Sequence, residues 1–334
     1  MRITRWDEED RHAFDGCLAV ERGAHQADDP AGRPRSAREL RTFLSGAGGD
    51  AVTETWFAAG DQDVLGWYRM YLPHRENLDL AWLALVVHPG HRRRGTGTLL
   101  LRHAAGRAAA HGRSRLAARE LLQGGTGAAF AAAAGANAGV AGARRVLDVT
   151  RIPPGRIAGL REGAARAAAG YGLVTWTGEI PEEHLGGVAS VHEALYDAPW
   201  DFEAVRWDAE RVREEINGRA ARSGSRYYSV AAVHGATGQM AALTGLSVAP
   251  EVPEWGLQNP TAVARPHRGH RLGMLVKAAM VEWLATAEPG MRMIQTGNAN
   301  DNANMIAIND QLGYELLQPG WQFYTIDVAA IPAR

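Results

Sequence analysis

Residues 86–98 read VVHPGHRRRGTGT and continue an apolar run that begins at Ala81. The run from Ala81 to Val87 predicts a β-strand that is covered on both faces. His88-Pro89-Gly90 ends this strand, and residues 98–103, TLLLRH, predict the start of a helix. The stretch therefore predicts a strand, a basic glycine-containing loop and a helix in direct succession.

This loop has the composition of an anion-binding site. Gly95 and Gly97 lack side chains, so successive backbone N–H groups can converge on phosphate oxygens at the start of the helix. The helix dipole supplies roughly +0.5 of a charge there, and the arginines at 92–94 add charge-assisted hydrogen bonds. A solvated basic turn is the alternative interpretation of the arginine triplet, and the strand, proline and helix around it favour the phosphate site.

The same order of features returns in the second half of the sequence. Residues 263–273 read VARPHRGHRLG, and apolar side chains then recur at helical spacing. Arg92 and Arg268 are 176 positions apart, and so are Gly97 and Gly273. One repeat at the length of a domain indicates an internal duplication, because a solenoid would show many short repeats.

The two loops resemble the acyl-CoA signature of the GNAT superfamily, R-x-x-G-x-G. The first loop matches all three positions from Arg92 to Gly97, whereas the second matches at Arg268 and Gly273 and has Arg271 in place of the middle glycine. The resemblance implies an α/β (α+β) fold of two GNAT-like domains related by internal duplication. Each domain is expected to be a mixed, mostly antiparallel sheet flanked by helices.

We place the domains at 1–150 and 171–334, with a connector at 151–170 that contains two prolines and an alanine- and arginine-rich stretch. The tandem arrangement is similar to that of mycothiol synthase and related actinobacterial tandem GNATs. In that group the C-terminal copy performs the acyl transfer, so the resemblance implies that residues 171–334 form the catalytic domain.

The resemblance also implies which residues bind the CoA moiety. Backbone groups of both loops are expected to contact the pyrophosphate, and the strand before each loop offers N–H groups to the thioester carbonyl. Two of the side chains, Arg93 and His270, face either water or the 3′-phosphate of the adenosine. The full expected set is Val86, Val87, Arg92, Arg93, Arg94, Gly95, Thr96, Gly97 and Thr98 in the first copy, and Ala262, Val263, Arg268, Gly269, His270, Arg271, Leu272 and Gly273 in the second.

An asparagine-rich stretch near the C-terminus extends the resemblance. Residues 294–314 read IQTGNANDNANMIAINDQLGY, similar to the GNAT region in which a strand, a loop and a short helix precede a Gly-Phe or Gly-Tyr pair. Asn302 and Asn309 are expected to bond the pantetheine arm, and helix capping and turn formation are the equally weighted alternative. The first copy has only GAAFAAAAGA at 127–136, without the polar groups.

The sequence also offers candidates for the residues that would move protons. Glu254 is the predicted general base, chosen over Glu251, with Glu76 and Asp79 at the corresponding place in the first copy. A surface carboxylate is the alternative interpretation of Glu254.

The general acid is missing from its usual position. Many GNAT enzymes have a tyrosine four residues before the Gly-Phe pair, and the two copies have Asn309 and Ala131 there. Tyr314 is the candidate to replace this acid, with a water molecule or the substrate ammonium as alternatives.

Composition limits the other classes of function. A net charge of −1 gives no field that would attract nucleic acid or an anionic membrane. The single cysteine, Cys17, and a charged N-terminal segment predict a cytoplasmic location, and the scattered histidines predict no metal site. The chain is expected to be a monomer or a homodimer without nucleic-acid or membrane partners.

The sequence therefore predicts an acyl-CoA-dependent N-acyltransferase, with acetyl-CoA or another acyl-CoA as co-substrate. The acceptor is expected to be the amine of a small molecule, such as an amino sugar or a secondary metabolite, which attacks the thioester directly in a ternary complex. The alternative is a non-catalytic tandem GNAT that binds acyl-CoA or regulates another protein, motivated by the absent tyrosines.

Overall fold

The computed structural model describes residues 1–46, 52–61, 63–197 and 202–332. The chain divides into two units. The first consists of Met1–Gly142 together with Gln318–Arg334, and the second consists of Ala143–Leu317. Each unit has hydrophobic clusters of its own.

The first two helices of the first unit begin at polar caps that the sequence provides. Asp10 accepts a hydrogen bond from the N–H of Ala13, and Ser36 and Glu39 form a reciprocal capping box. The elements that begin in this half of the sequence are β1 (Arg2–Arg5), α1 (Arg11–Asp28), α2 (Ala37–Ser45), β2 (Val52–Ala59), β3 (Val64–Leu72), β4 (Leu80–Val87), α3 (Thr96–Ala110), β5 (Arg115–Leu122), α4 (Thr126–Ala133) and β6 (Asn137–Asp148).

The sheet of the first unit is antiparallel from β1 to β4. The next pair, β4 and β5, is parallel, because α3 carries the chain back across the sheet before β5 begins. The strand beyond β5 comes from the far end of the sequence: β12 (Glu315–Asp327) pairs antiparallel with β5, from Trp321 opposite Leu122 to Asp327 opposite Arg115.

The second unit repeats this order of elements. Its elements are α5 (Arg156–Ala167), β7 (Tyr171–Thr177), α6 (Leu185–Glu193), α7 (Ala209–Arg211), a π-helical turn (Val212–Asn217), α8 (Gly218–Ser223), β8 (Arg226–His234), β9 (Met240–Val248), β10 (Trp255–Val263), α9 (Leu272–Ala287), β11 (Met293–Ala299) and α10 (Ala303–Leu312). Strands β7 to β10 are antiparallel and β10 is parallel to β11. Strand β6 lies next to β11.

The predicted fold class is confirmed: each unit has a mixed, mostly antiparallel sheet flanked by helices. The domain boundaries differ from the predicted ones in two ways. Residues 151–170 do not form an open connector, because α5 packs against α9 and buries Ile157 and Ala164 in the core of the second unit. In addition, residues from Gln318 onward belong to the first unit instead of the second.

Each unit is thus completed by a strand from the other half of the sequence. Strand β6 follows α4 but lies beside β11, and β12 follows α10 but pairs with β5. Ile326 and Ile331 are buried in the cluster of the first unit that contains Leu100 and Leu116. The first unit therefore cannot bury its core without the last strand of the chain.

Ile326→Ala tests this assignment. Removing a buried isoleucine side chain costs roughly 2–5 kcal/mol, so native-state hydrogen exchange should speed up in β5 and leave β9 protected. Ile294→Ala, a fully buried residue of the second unit, is the matched control and should do the reverse. Faster exchange of β9 in the Ile326→Ala variant would contradict the assignment.

Candidate functional site

The two loops have the same backbone conformation although their residue types differ. In the first loop the left-handed residues are Arg93 (φ 61°) and Gly95 (φ 85°). In the second loop they are Gly269 (φ 88°) and Arg271 (φ 54°). Arg93 and Gly269 are 176 positions apart, and so are Gly95 and Arg271. Glycine and arginine have therefore exchanged places within the same turn conformation. Arg271 is therefore a positional equivalent of the middle glycine.

Each loop leads to a helix start whose backbone donors are open. Gly95 precedes α3 and Arg271 precedes α9, and neither provides a side-chain cap. The first N–H groups of a helix have no partner within the helix, so an uncapped start presents them to an anion. The loops thus have the geometry that the predicted pyrophosphate contacts require.

The last glycine of each motif allows a close approach of the short helix that follows. A Cβ atom on Gly97 would lie 3.3 Å from the Phe130 ring on α4, and one on Gly273 would lie 3.0 Å from Cδ1 of Ile308 on α10. These glycines therefore hold α4 and α10 against the starts of α3 and α9.

The parallel strands part before they reach the loops. Strand β4 pairs with β5 only over Leu80–Trp82, and β10 pairs with β11 only over Trp255–Leu257. Beyond these residues a wedge opens in each sheet and leads toward the loop. A wedge of this kind exposes strand backbone at its edges.

Alternation along each strand shows which backbone groups face the wedge. The N–H of Ala264 donates to Ala241 O of β9 (2.8 Å), and the N–H of His88 donates to Leu65 O of β3 (3.0 Å). N–H groups of successive residues point to opposite sides of a strand, so Val263 and Val87 point their N–H groups into the wedges.

The prediction that Val86 and Ala262 bind the thioester carbonyl is therefore wrong, since their N–H groups do not face the wedges. Val86 and Ala262 direct their N–H groups toward the neighbouring antiparallel strands, β3 and β9, because each lies one residue before a wedge-facing valine. The donors available to a thioester carbonyl belong to Val87 and Val263.

Strand β10 has a β-bulge that its counterpart β4 lacks. Gln258 pairs with Leu246 and Thr261 pairs with Thr244, so β10 has one more residue than β9 between these points. The extra length contains Pro260, which has no N–H to donate and is tolerated in a sheet at such a bulge. The pairing of β4 with β3 is continuous.

Side-chain hydrogen bonds stabilise the bulge. Nε2 of Gln258 donates to the carbonyl of Gly245 and to Oγ1 of Thr244 (3.0 Å), and the hydroxyls of Thr244 and Thr261 lie 2.7 Å apart. Thr244 is completely buried. These bonds satisfy backbone and hydroxyl groups that the irregular ladder leaves unpaired.

The first arginine of each motif binds a backbone oxygen next to its own loop. Nε of Arg92 donates to Val87 O (3.1 Å), and Nε of Arg268 donates to Val263 O (3.3 Å). The Arg92 guanidinium also binds both carboxylate oxygens of Asp28 on α1, at 2.8 and 2.6 Å. Its side chain is therefore occupied, so only its backbone remains for a phosphate.

The other basic side chains of the loops are exposed. Arg93, Arg94 and Arg271 face solvent. His270 is exposed as well and lies 5.5 Å, centroid to centroid, from the ring of Tyr171. The Tyr171 hydroxyl lies 3.0 Å from Nδ1 of His267, whose pKa is lowered by burial and by the neighbouring His234 and His270.

The two asparagines have different environments. Asn302 is the N-cap of α10 and accepts a hydrogen bond from the N–H of Met305 (3.2 Å), as its capping interpretation requires. Asn309 is completely buried and donates to Oδ1 of Asn298 (2.6 Å). Asn302 is thus exposed at the start of α10, and Asn309 has no surface to offer a ligand.

The two predicted catalytic residues do not lie together. Glu254 is exposed and precedes β10, four residues from Gln258, which corresponds to about 13 Å of strand. Tyr314 is buried, and burial raises the pKa of its phenol well above the usual range. Tyr314 instead lies against Lys277 of α9, whose Nζ is 4.9 Å from the centroid of its ring. Sequence reasoning missed Lys277, although one compositional signal pointed to it: the sequence contains no other lysine.

A family model described as the acetyltransferase (GNAT) family matches residues 18–128. The chain is also 32% identical to a tandem GNAT protein from the clavulanic acid biosynthesis pathway, with a TM-score of 0.82 over 98% of both chains. The chain belongs to the GNAT acetyltransferase family. This GNAT chain is an enzyme of the acyl-CoA-dependent N-acetyltransferase type.

Two other solved structures share the GNAT fold at low identity. One is a GCN5-related N-acetyltransferase from Sphaerobacter thermophilus, 16% identical, with a TM-score of 0.66 over 98% of this chain and 95% of that one. The other is a GCN5-related glucosamine N-acetyltransferase region of a fungal multi-domain protein, 13% identical, with a TM-score of 0.66 over 97% of this chain and 38% of that one. A comparison with curated protein sequences found no match.

The described residues of the GNAT chain lack two further features. No group of three or more His, Cys, Asp or Glu side chains there is placed to hold a metal ion. None of the helices in that part of the chain combines the length and apolarity of a membrane span.

The exchange of glycine and arginine in the loops has a measurable cost. A side chain in the left-handed region costs about 1 kcal/mol relative to glycine, so Arg93→Gly and Arg271→Gly should each raise the free energy of unfolding by about that amount. Gly95→Ala should lower it by a similar amount, since a Cβ there meets no other atom within 4 Å.

Arg94→Gly is the matched control, because Arg94 is exposed in the same loop but lacks a positive φ. This variant should show no increase in the free energy of unfolding measured with urea. An equal gain for Arg93→Gly and Arg94→Gly would contradict the shared loop conformation.

Proposed function

We propose that the second unit carries out the transfer, moving an acetyl group from CoA to the amine of a small molecule by direct attack. The observation that carries this proposal is the bulge in β10, which its counterpart β4 in the first unit lacks. Bulges are frequent beside active sites because they redirect backbone groups out of the ladder.

The cofactor site follows from the loop and the helix start. The pyrophosphate of CoA would accept hydrogen bonds from the N–H groups of residues 269–273, at the positive end of the α9 dipole. The pantetheine arm would then extend along the wedge between β10 and β11, past Asn302 at the start of α10. This path directs the thioester toward Val263.

The wedge-facing N–H of Val263 is positioned to stabilise the reaction. When an amine attacks the thioester, the carbonyl oxygen becomes negatively charged in the tetrahedral intermediate. A fixed N–H aimed at that oxygen contributes about 3 kcal/mol. The bulge sets the direction of this segment of β10, and the Gln258 side chain holds the bulge in place.

The bonds change in a simple order. The nitrogen of the neutral acceptor amine forms a bond to the thioester carbon, the C–S bond breaks, and the CoA thiolate leaves. The new ammonium loses one proton and the thiolate gains one. Glu254 lies too far from the bulge for direct proton transfer, so it would act only through intervening water.

The biosynthetic pathway of one similar protein supports a small-molecule acceptor. The tandem GNAT protein that shares 32% identity with this chain belongs to clavulanic acid biosynthesis, a pathway that builds a small molecule. A net charge of −1 also provides no general attraction for a polyanionic acceptor.

The first unit is better suited to binding than to transfer. Its α4 has the sequence TGAAFAAA, with no polar side chain after Thr126. Thr126 itself lies 3.2 Å from Arg92, in the same group of hydrogen bonds as Asp28. Its CoA-type loop follows strand β4, whose pairing with β3 has no bulge, so we propose a non-catalytic role for this unit.

Acetyl-CoA turnover with a panel of small amines tests the proposed function. The protein should bind acetyl-CoA in isothermal titration and release free CoA thiol with at least one class of amine. Binding without release for any amine would support the non-catalytic alternative, and absence of binding would contradict both.

Val263→Pro tests the carbonyl donor, since proline removes one N–H and keeps an apolar side chain. We expect kcat to fall about 100-fold while acetyl-CoA binding and folding are retained. Val87→Pro is the matched change in the first unit and should leave kcat unchanged. A loss of kcat in Val87→Pro alone would place the reaction in the first unit.

A further inference from the structure

Asn259 lies in the bulge of β10, in the part of the strand that has parted from β11. The residue is partly exposed, and its side-chain amide has no hydrogen-bond partner in the part of the chain that the structure describes. An amide offers two donors and an acceptor. An amide that reaches the surface without a partner is available to a ligand.

Gly245 of β9 shows on which face of the sheet this side chain lies. A Cβ atom on Gly245 would lie 3.2 Å from Cβ and 3.7 Å from Nδ2 of Asn259, so the two residues share a face. Leu243 of β9 packs in the cluster that contains Val188 of α6, whereas Leu246 packs in the cluster of α9. Because side chains alternate along a strand, Gly245 and Asn259 lie on the α6 face.

This face of the sheet is open beside Asn259. Gly245 is the one residue of β9 that is not buried, although β9 has a neighbouring strand on each side. A glycine in the interior of a strand often marks a close approach by another group. Ser229 of β8, which pairs with Gly245, is partly exposed as well. Three neighbouring strands thus present an open polar surface next to the wedge.

The first unit fills the corresponding place with a large side chain. Ala84 of β4 takes the place of the bulged residues, and its partner Arg69 on β3 corresponds to Gly245. The Arg69 guanidinium lies 4.4 Å from the ring centroid of Phe43 and 5.9 Å from that of Tyr71. The open surface is therefore not a requirement of the fold, and it belongs to the unit that we propose to be catalytic.

An acceptor has to reach the wedge from this face. The other face is covered by α9 and α10, because a Cβ atom on Gly273 would lie 3.7 Å from Cγ2 of Val263 and 3.0 Å from Cδ1 of Ile308. The loop that would bind the pyrophosphate also leads into α9, so the CoA arm would enter from that side. An amine that attacks the thioester therefore approaches past Asn259.

The open surface favours a neutral polar group on the acceptor. The side chains that β8, β9 and β10 place on this face include no carboxylate, ammonium or guanidinium. A carboxylate bound there would lose water without gaining a cation, whereas a hydroxyl can both donate to and accept from an amide. These side chains are Tyr227, Ser229, Ala231, Leu243, Gly245, Ser247, Leu257, Asn259 and Ala262.

The position of Asn259 also limits the size of the acceptor. Four residues of strand separate Asn259 from Val263, which corresponds to at most about 13 Å. Subtracting a hydrogen bond of about 2.9 Å at each end leaves about 7 Å. A six-membered ring with substituents on opposite sides has this span.

We propose that Asn259 binds the acceptor and selects a ring amine that has a hydroxyl group on the side opposite to the nitrogen, as in an amino sugar. This inference rests on the proposed function of the second unit. The Asn259 amide exchanges hydrogen bonds with the hydroxyl while the nitrogen faces the thioester at Val263. No covalent bond changes at Asn259, so it determines specificity and takes no part in the chemistry.

Three ring amines that differ in one substituent test this selection. They are trans-4-aminocyclohexanol, cyclohexylamine and trans-4-aminocyclohexanecarboxylate. Wild-type kcat/KM should be about 10-fold higher for the alcohol than for the other two, the value of one hydrogen bond to a neutral group. Equal kcat/KM for the alcohol and cyclohexylamine would overturn the proposal.

Asn259→Ala should raise the KM for the alcohol about 10-fold and leave kcat/KM for cyclohexylamine unchanged. Asn137→Ala, at an exposed asparagine of the first unit, is the matched control and should change neither. Unchanged acetyl-CoA affinity in both variants would show that the fold is kept. An equal loss of activity on both amines in Asn259→Ala would contradict a contact with the hydroxyl.

Gly245→Ala tests the position of the amide, since the new Cβ atom would press on the Asn259 side chain. It should raise the KM for the alcohol, and it should add nothing in the double variant with Asn259→Ala. Additive losses in the double variant would mean that Gly245 does not act through the amide, and would overturn the placement.

Binding without turnover separates this inference from the proposed function. Saturation-transfer NMR with free CoA present should show trans-4-aminocyclohexanol bound to wild type and not to Asn259→Ala. If this holds but no amine is acetylated, the proposed transfer fails and the acceptor surface stands. If wild type transfers acetyl groups and Asn259→Ala does so with equal kcat/KM for the alcohol, only the inference about Asn259 is overturned.

Discussion

The feature on which both units depend is a helix start that no side chain caps. The backbone passes through two left-handed residues and delivers open N–H groups to the end of a wedge between two parallel strands. The free N–H groups of an uncapped helix start are satisfied by water or by a ligand, and the helix dipole favours an anion there. The loop, the glycine behind it and the parting strands are arranged around this one requirement.

Because the chain contains a duplication, its two units can be compared with each other. Both loops retain their turn shape although glycine and arginine have changed places, which shows that the backbone conformation is retained more strictly than the residue type. The interiors differ more than the loops do. The second unit has a bulge and a set of buried polar side chains where the first has a continuous strand pairing and small apolar residues.

These differences support the proposed division of roles between the two units. The bulge in β10 and the buried amine of Lys277, which has no counter-charge within the described residues, both belong to the second unit. The other unit keeps the binding loop and fixes it with an ion pair between Arg92 and Asp28.

Local features were predictable from sequence, and long-range ones were not. The two loops and the strand and helix on either side of each are encoded within a few residues, so glycine, proline and apolar runs reveal them. The choice of partner for β6 and β12 depends on residues more than a hundred positions away, which no local pattern specifies. The Arg92 contact with Asp28 and the burial of Lys277 were missed for the same reason. The burial of Lys277 depends on the packing of α5 and α10 against α9, which the periodicity of α9 does not show.

The most direct test of the central claim is a crystal structure with acetonyl-CoA, an acetyl-CoA analogue whose ketone cannot be cleaved. The account predicts a pyrophosphate on the N–H groups of residues 269–273 and the ketone oxygen about 2.9 Å from the Val263 nitrogen. A complex in which the analogue occupies only the loop at 93–97, or in which the ketone lies away from Val263, would contradict it.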